Sequence, residues 1–253
     1  VGNPLVNLTI MGLIVIGGIG FLTWDDFCTN KWNLKRYRLQ SKIILVTTAV
    51  LILLPAIFFF LSDFAGFSMG KRILASFFQS GTLRTAGFNT ADLGAMNDSS
   101  KAIMTLMMLI GGSPGSTAGG MKTTTIAVLI LNAFATFGRE PETEVFGRRF
   151  DNTVVKNAAT IAILYFFLFF TGGIAISQIE HVALSDCLFE TASAVGTAGL
   201  TLGITTELGL VSHLILVVLM YLGRVGGLTL IYAAISVKIQ SGAKRPLDKI
   251  TVG

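Results

Sequence analysis

An all-α membrane protein made of repeated helix, re-entrant half-helix, loop and helix units is the fold class the sequence predicts, on three observations. First, the chain matches itself without a gap when slid 112 positions. Thr85-Ala86-Gly87 falls on Thr197-Ala198-Gly199, Phe77 on Phe189, Met108 on Met220, Gly111 on Gly223 and Gly115 on Gly227. Such a repeat has to be settled before any local reading, because missing it misreads the fold. Second, 52% of the 253 residues are hydrophobic and 13% charged, against about 25% charged in soluble domains. The 28 Gly and 19 Phe suit helices that approach closely in lipid. Third, apolar runs of spanning length, about 20 residues, alternate with two shorter ones that each end at a Thr-Ala-Gly tripeptide.

The first apolar run, Leu5 to Trp24, is read as the closing helix of a preceding unit (residues 1–24). Its Ile16-Gly17-Gly18-Ile19-Gly20 resembles Ile110-Gly111-Gly112 and Leu222-Gly223-Arg224-Val225-Gly226. The chain starts with Val and enters a spanning helix at once, with no cleavable signal peptide evident, so it is expected to begin inside a longer protein. Residues 25–42 are a basic connector. The first full unit, 43–137, holds a spanning helix at Ile43 to Leu61 and a half-helix at Met69 to Leu83. After the loop it closes with a helix from Ala102 to Phe137, interrupted over 111–120. A second connector covers 138–153. The second full unit, 154–240, repeats the plan with Val154 to Ile176, a half-helix at Leu184 to Val195 and Leu210 to Val237, and a tail follows at 241–253. Both half-helices are too short to cross, so they enter the membrane and return.

The loops point to cation binding by backbone. Glycine takes positive φ at little cost, which lets successive carbonyls turn toward one axis. A ring of carbonyls replaces an ion's hydration shell and, being neutral, releases the ion again. The candidate ligands are Thr85, Ala86, Gly87 and Phe88 with Thr197, Ala198, Gly199 and Leu200. The Thr hydroxyls can add oxygens, and the half-helix C-termini aim partial negative charge at the same point. Two loops half-coordinate a cation, so further units are expected, from an absent N-terminal part or from another chain. The competing reading is that Gly87 and Gly199 only permit tight packing.

Within Gly111, Gly112, Ser113, Pro114, Gly115, Ser116, Thr117, Ala118, Gly119 and Gly120, five Gly and one Pro break the helix in mid-membrane. The alternative to a movable segment is a static kink. Residues at the same depth in the second unit, Val225 to Leu230, are far less glycine-rich, so the break is expected in one unit only. Lys122 and Arg224 are the cations read as lying inside the membrane zone, where charge is costly and functional by default. Arg224 aligns with Gly112, and can bond the segment's carbonyls or repel cations beneath the loops. Lys122 can instead snorkel to the membrane edge.

Positive charge sorts the two sides. Lys31, Lys35, Arg36, Arg38, Lys42, Arg139, Arg148, Arg149, Lys156, Lys238, Lys244, Arg245 and Lys249 fall on one side, and Lys71, Arg72, Arg84 and Lys101 fall on the other, together with Asp63, Asp92, Asp98, Glu180, Asp186 and Glu207. The positive-inside rule makes the first side cytoplasmic, so the loops open outward from a multi-pass cell membrane protein. The net charge of +5 needs no nucleic acid. Trp32 and Tyr37 among the cations of the first connector mark a lipid-facing segment, or a docking site for a regulatory subunit. Cys28 and Cys187 are read as free thiols. His181 and His213 lack ligand partners at metal spacing, and the chain carries no P-loop, dinucleotide fingerprint or nucleophile elbow, so it is not read as an enzyme.

The segments Arg84 to Asn89 (RTAGFN), Gly196 to Thr201 (GTAGLT), Gly111 to Thr125 (GGSPGSTAGGMKTTT) and Gly223 to Thr229 (GRVGGLT), in order and at repeat spacing, resemble the third and fourth repeats of the Trk/Ktr/HKT superfamily of potassium transporters. The bacterial membrane subunit of Ktr and Trk systems is the form they resemble, over nearly the whole chain. That resemblance implies a pseudo-fourfold pore in one subunit, homodimers, a cytosolic nucleotide-binding regulatory ring on a separate chain, and K+ as cargo. It also implies filter glycines at Gly87 and Gly199 and a gating role for 111–120. Tripeptides shorter than the TVGYG of tetrameric channels suggest fewer ion sites and looser selectivity. Na+ permeation or Na+ coupling stays open. So do a non-conducting assembly module and an inverted-repeat carrier, although inverted repeats would alternate in orientation and these copies do not.

Overall fold

The computed structural model describes residues 3–140 and 142–227, and in them the chain is an all-α membrane protein of two successive repeat units preceded by a closing helix. The part of the expected second-unit helix beyond Gly227, including Lys238, and the expected tail with Lys244, Arg245 and Lys249 lie outside the described residues.

Helix α1 (Pro4–Ile19) starts at Asn3, whose side chain accepts the Leu5 and Val6 N–H groups, with Pro4 at the position where a missing N–H costs nothing. It stops at Gly20, with φ 90°, and α2 (Phe21–Asn30) leaves at 95° to it. The expected single helix from Leu5 to Trp24 is therefore two helices. The reason lies outside the run: the Pro114 carbonyl presses on Gly20 where a Cβ would sit, and the Phe21 N–H donates to the Gly115 carbonyl at 3.1 Å. Tertiary contacts thus end a helix that local hydrophobicity would continue.

Helices α3 (Leu39–Ser62) and α7 (Asn152–Glu180) are long and apolar enough to cross a membrane. Val50, Leu53, Leu54 and Ile57 on α3, and Ile163, Phe166 and Phe167 on α7, stay exposed, which is the apolar face that lipid takes. Both helices outrun their expected limits because polar residues at their ends cap and extend them. Asp151 precedes α7 and accepts the Thr153 N–H, which holds its carboxyl below the usual range. At the start of α3 the buried Asp26 accepts the Arg38 N–H at 3.0 Å and the Ser41 hydroxyl at 2.6 Å.

The half-helices are α4 (Met69–Thr82) and α8 (Leu184–Gly196), within a residue of the sequence expectation. Helix α4 lies on α3 and α1, and α8 is wrapped by α5 (Asp98–Leu109), α7 and α9 (Leu210–Val225). From Phe189 to Gly196 every residue of α8 is buried, so the core of this part of the molecule forms around a short helix. Pro55 in α3 offers no N–H to the Leu51 carbonyl, four residues before it. Ser80 of α4 faces that gap and donates to the Ile52 carbonyl at 2.6 Å, with the Leu51 carbonyl 3.5 Å away. The opened turn of one helix thereby anchors the other.

Each unit also ties its first helix to its closing helix. Asp63, after α3, accepts the Asn97 N–H at 2.9 Å and the Ser100 hydroxyl. Glu180, ending α7, accepts the Gly209 N–H at 2.8 Å and the Ser212 hydroxyl at 2.5 Å. Asn97 and Ser100 fall on Gly209 and Ser212 under the 112-residue shift, so the repeat extends to its caps. The closing helix of the first unit resumes as α6 (Thr123–Phe137). A small antiparallel hairpin, β1 (Glu144–Val145) and β2 (Arg148–Arg149), forms in the second connector.

The expectation that only one unit has a broken closing helix is corrected. Gly20 (φ 90°, ψ 147°) and Gly226 (φ 90°, ψ 139°) end α1 and α9 with nearly the same backbone angles, and under the repeat alignment both correspond to Pro114. Glycine count measures how long the irregular stretch is; one residue able to take positive φ is enough to make the break.

Candidate functional site

The two tripeptide loops are the same backbone structure built twice, and they touch. Thr85 and Thr197 take left-handed φ of 57° and 52°, and Gly87 and Gly199 take φ of 71° and 81°. Left-handed backbone is uncommon for a threonine, and here it appears at both copies of one position. The half-helix ends supply the reason: the Ala198 N–H turns back to the Ser193 carbonyl at 2.8 Å and the Thr197 N–H to the Ala194 carbonyl at 3.0 Å, closing α8 before the glycine. In the other loop the Ala86 N–H reaches the Thr82 carbonyl at 3.3 Å. A Cβ on Gly87 would stand 2.9 Å from the Ala198 carbonyl oxygen and 3.2 Å from that of Gly199, and a Cβ on Gly199 would stand 3.4 Å from the Gly87 Cα. Two loops far apart in sequence thus meet at their glycines. Leu200 and Ala198 are buried behind the second loop, while Phe88 is half exposed. The Thr197 Oγ1 is buried with no partner among the described residues, which leaves a hydroxyl oxygen free at the junction.

Below the loops, residues 110–122 run as irregular backbone whose polar groups are satisfied by neighbours rather than by water alone. The Gly111 N–H donates to the Met121 carbonyl at 2.8 Å, the Thr123 N–H to the Gly112 carbonyl at 3.0 Å, the Ser113 N–H to the Gly18 carbonyl at 2.9 Å and the Gly120 N–H to the Gly223 carbonyl at 3.1 Å. The Ser113 and Thr123 hydroxyls share a bond at 3.1 Å. Such pairing is what lets non-helical backbone persist at membrane depth. The tip, from Gly115 to Thr117, is less buried than either flank.

Both cations singled out in the sequence hold this tip. Arg224 Nη1 donates to the Thr117 carbonyl at 2.6 Å and Lys122 Nζ to the Ala118 carbonyl at 2.6 Å. These are adjacent carbonyls reached from two different elements. Lys122 is therefore turned back onto its own segment instead of snorkelling outward. A cavity of about 590 Å³ runs from Thr205 past Gly199 and Thr197 to Arg224, and a second of about 350 Å³ lies between α1, the first loop and Thr117. The first loop and the segment thus border one space, and the second loop and Arg224 border the other.

Small residues make the close approach possible. A Cβ on Gly223 would strike the Val195 carbonyl, one on Gly196 the Met108 carbonyl, and one on Gly119 the Thr197 side chain. Gly223→Ala should therefore overpack the joint between α9 and α8 at a cost of about 1–3 kcal/mol. The expected readout is an earlier thermal unfolding midpoint of the purified protein, and an unshifted midpoint would refute the contact.

Sequence reading missed two residues of the site. Arg84 counts by sequence among the external charges, yet it is 8% exposed, and its Nε and Nη2 have no partner among the described residues. Its position directly before the tripeptide was the available signal. Glu190 lies inside α8, 4% exposed, bonded to the segment that leaves the second loop; a carboxylate in a half-helix read as membrane-buried could have flagged it. Cys28 and Cys187 are free thiols, and no group of three or more His, Cys, Asp or Glu residues placed to hold a metal exists among the described residues. At the meeting point of the two tripeptides, the oxygens offered by the described residues are main-chain carbonyls and the Thr197 hydroxyl.

The chain's relatives agree with this architecture. A family model described as TrkH, cation transport protein, matches residues 1–243. The Ktr system potassium uptake protein B of Bacillus subtilis is 33% identical over 259 residues, which cover 100% of this chain and 58% of that protein. The potassium/sodium uptake protein NtpJ of Enterococcus hirae is 32% identical over 262 residues, covering 99% of this chain and 58% of its own. The crystal structure of the potassium transporter TrkH from Vibrio parahaemolyticus shares the fold, with a TM-score of 0.76 at 20% identity over 93% of this chain and 53% of that one. The chain thus spans 58% of the length of these two curated relatives.

Proposed function

Because the chain belongs to the TrkH family of cation transport proteins, we propose that it carries the third-type and fourth-type pore units of a potassium uptake protein. In this reading 43–137 and 154–240 are the two units, 1–24 closes an earlier one, and N-terminal repeats of the same subunit complete a pseudo-fourfold ring. K+ leaves its water at the carbonyls of residues 85–88 and 197–200, helped by the Thr197 hydroxyl, and passes inward to the segment 111–120. That segment obstructs the path while Arg224 and Lys122 hold its tip, and flux begins when it withdraws. The protein sits in the cell membrane with the filter loops facing out. It works as a homodimer, and a cytosolic nucleotide-binding ring acts on the opposite face.

One observation carries the proposal: loops 112 residues apart bring their positive-φ glycines into contact. Mere packing needs small residues but no left-handed threonine before each glycine. The complete protein, expressed with its regulatory ring in a strain lacking its own K+ uptake, should restore growth at low external K+. Failure to restore it, with the protein present in the membrane, would refute the reading and favour a non-conducting assembly module. The Enterococcus hirae relative is named for potassium and sodium, so Na+ uptake measured in the same cells decides which of the two ions this filter admits.

A further inference from the structure

Glu190 is a buried carboxylate that forms none of the ion pairs among the described residues. A charge in that position persists only where hydrogen-bond donors satisfy it. Its donors all come from the irregular segment and 3-10 turn that follow the fourth-type loop: Oε1 accepts the Thr201 hydroxyl at 2.6 Å and the Leu202 N–H at 2.9 Å, and Oε2 accepts the Thr205 hydroxyl at 2.6 Å. One turn further along α8, Ser193 Oγ accepts the Leu200 N–H at 2.9 Å. The three residues that follow Gly199 are therefore all tied back to the half-helix.

The third-type loop has a different tie. Phe78 stands where the repeat places Glu190, and is buried and apolar. There Thr82 Oγ1 donates to the Phe88 carbonyl at 2.6 Å. The polarity of the tie is thus reversed between the units. In one the half-helix takes one of the two lone pairs of the carbonyl that follows the glycine; in the other it holds N–H groups, and no described residue donates to the Leu200 carbonyl.

We propose that Glu190 is a positioning residue that fixes the outer lip of the fourth-type loop, keeping the Gly199 and Leu200 carbonyls free for the ion and unable to close around a smaller one. The filter is then asymmetric, with the fourth-type side setting how strongly K+ is preferred over Na+. A carbonyl cage discriminates through the number of its oxygens and how far they can move, and the brace acts on both. This rests on the transport reading above.

The test is the ratio of K+ to Na+ uptake by cells carrying the complete protein as Glu190→Ala, Glu190→Asp or Glu190→Gln. A loss of folded protein lowers both fluxes together and leaves that ratio unmoved, so the ratio separates positioning from structure. Glu190→Ala loses all the bonds, and Glu190→Asp, one methylene shorter, cannot span Thr201 and Thr205 together. Both should lower the ratio by about tenfold, the scale of one hydrogen bond to a charged group. Glu190→Gln keeps an acceptor oxygen for Leu202 and should fall between them and the unaltered protein. If Glu190→Asp keeps the original ratio while Glu190→Ala loses it, charge alone matters and the positioning role is overturned; an unchanged ratio in all three also overturns it. Thr205→Val removes one donor at lower risk to folding and should shift the ratio in the same direction, and no shift there counts against the brace. Absence of K+ uptake by the unaltered protein would instead defeat the transport reading.

Discussion

Gly87→Ala should reduce K+ uptake by at least tenfold, and Gly199→Ala should reduce it less. Both substitutions force an L-residue into left-handed backbone, at about 1–2 kcal/mol each. The surroundings separate them. At Gly87 the new Cβ meets three backbone atoms of the other loop between 2.9 and 3.3 Å, whereas at Gly199 it meets one at 3.4 Å, an ordinary contact. Backbone cannot rotate aside as a side chain does, so Gly87→Ala must shift the Ala198 and Gly199 carbonyls, the oxygens assigned to the ion. Uptake of a K+ analogue per unit of membrane protein measures the effect. Equal, small losses at both positions would mean that these glycines serve packing alone.

Releasing the tip of the intramembrane segment should have the opposite sign. Arg224→Ala removes a charge-assisted bond to the Thr117 carbonyl, worth about 1.5–3 kcal/mol, which is about tenfold or more in the balance between held and withdrawn segment. Flux should rise accordingly. Lys122→Ala removes the neighbouring bond to the Ala118 carbonyl and should act the same way. Because adjacent carbonyls move together, the double variant should gain less than the sum of the two in free energy. Deleting 112–120 is a rougher version of the experiment. It also removes the Ser113 bond to the Gly18 carbonyl and the Thr123 bond to the Gly112 carbonyl, which fasten α1 and α6. Unchanged flux in Arg224→Ala and in the double variant would identify the segment as a static kink.

Several parts of this site were legible in the chain before any coordinates. The repeat, the half-helices and the two tripeptides were readable because hydrophobic length and glycine position are local properties, and α4 and α8 lie within a residue of where that reading put them. Arg224 and Lys122 stood out because charge in an apolar run has few cheap explanations. The bend at Gly20 was not readable, since the apolar run continues through it and the carbonyl that ends the helix belongs to Pro114, far along the chain. Glu190 and Arg84 were missed for a related reason: their positions, in a half-helix and beside a tripeptide, were the only hint, and the groups that enclose each charge come from tertiary packing.

Periodicity and composition thus determined by themselves that this is a membrane protein of repeated helix, half-helix and loop units, because lipid leaves a spanning backbone few choices. Which atoms meet was decided by the tertiary structure: the two glycines in contact, the cations on adjacent carbonyls and the carboxylate behind one loop only. Those contacts join residues from separate helices, and their energies depend on distances between backbones that no local pattern encodes.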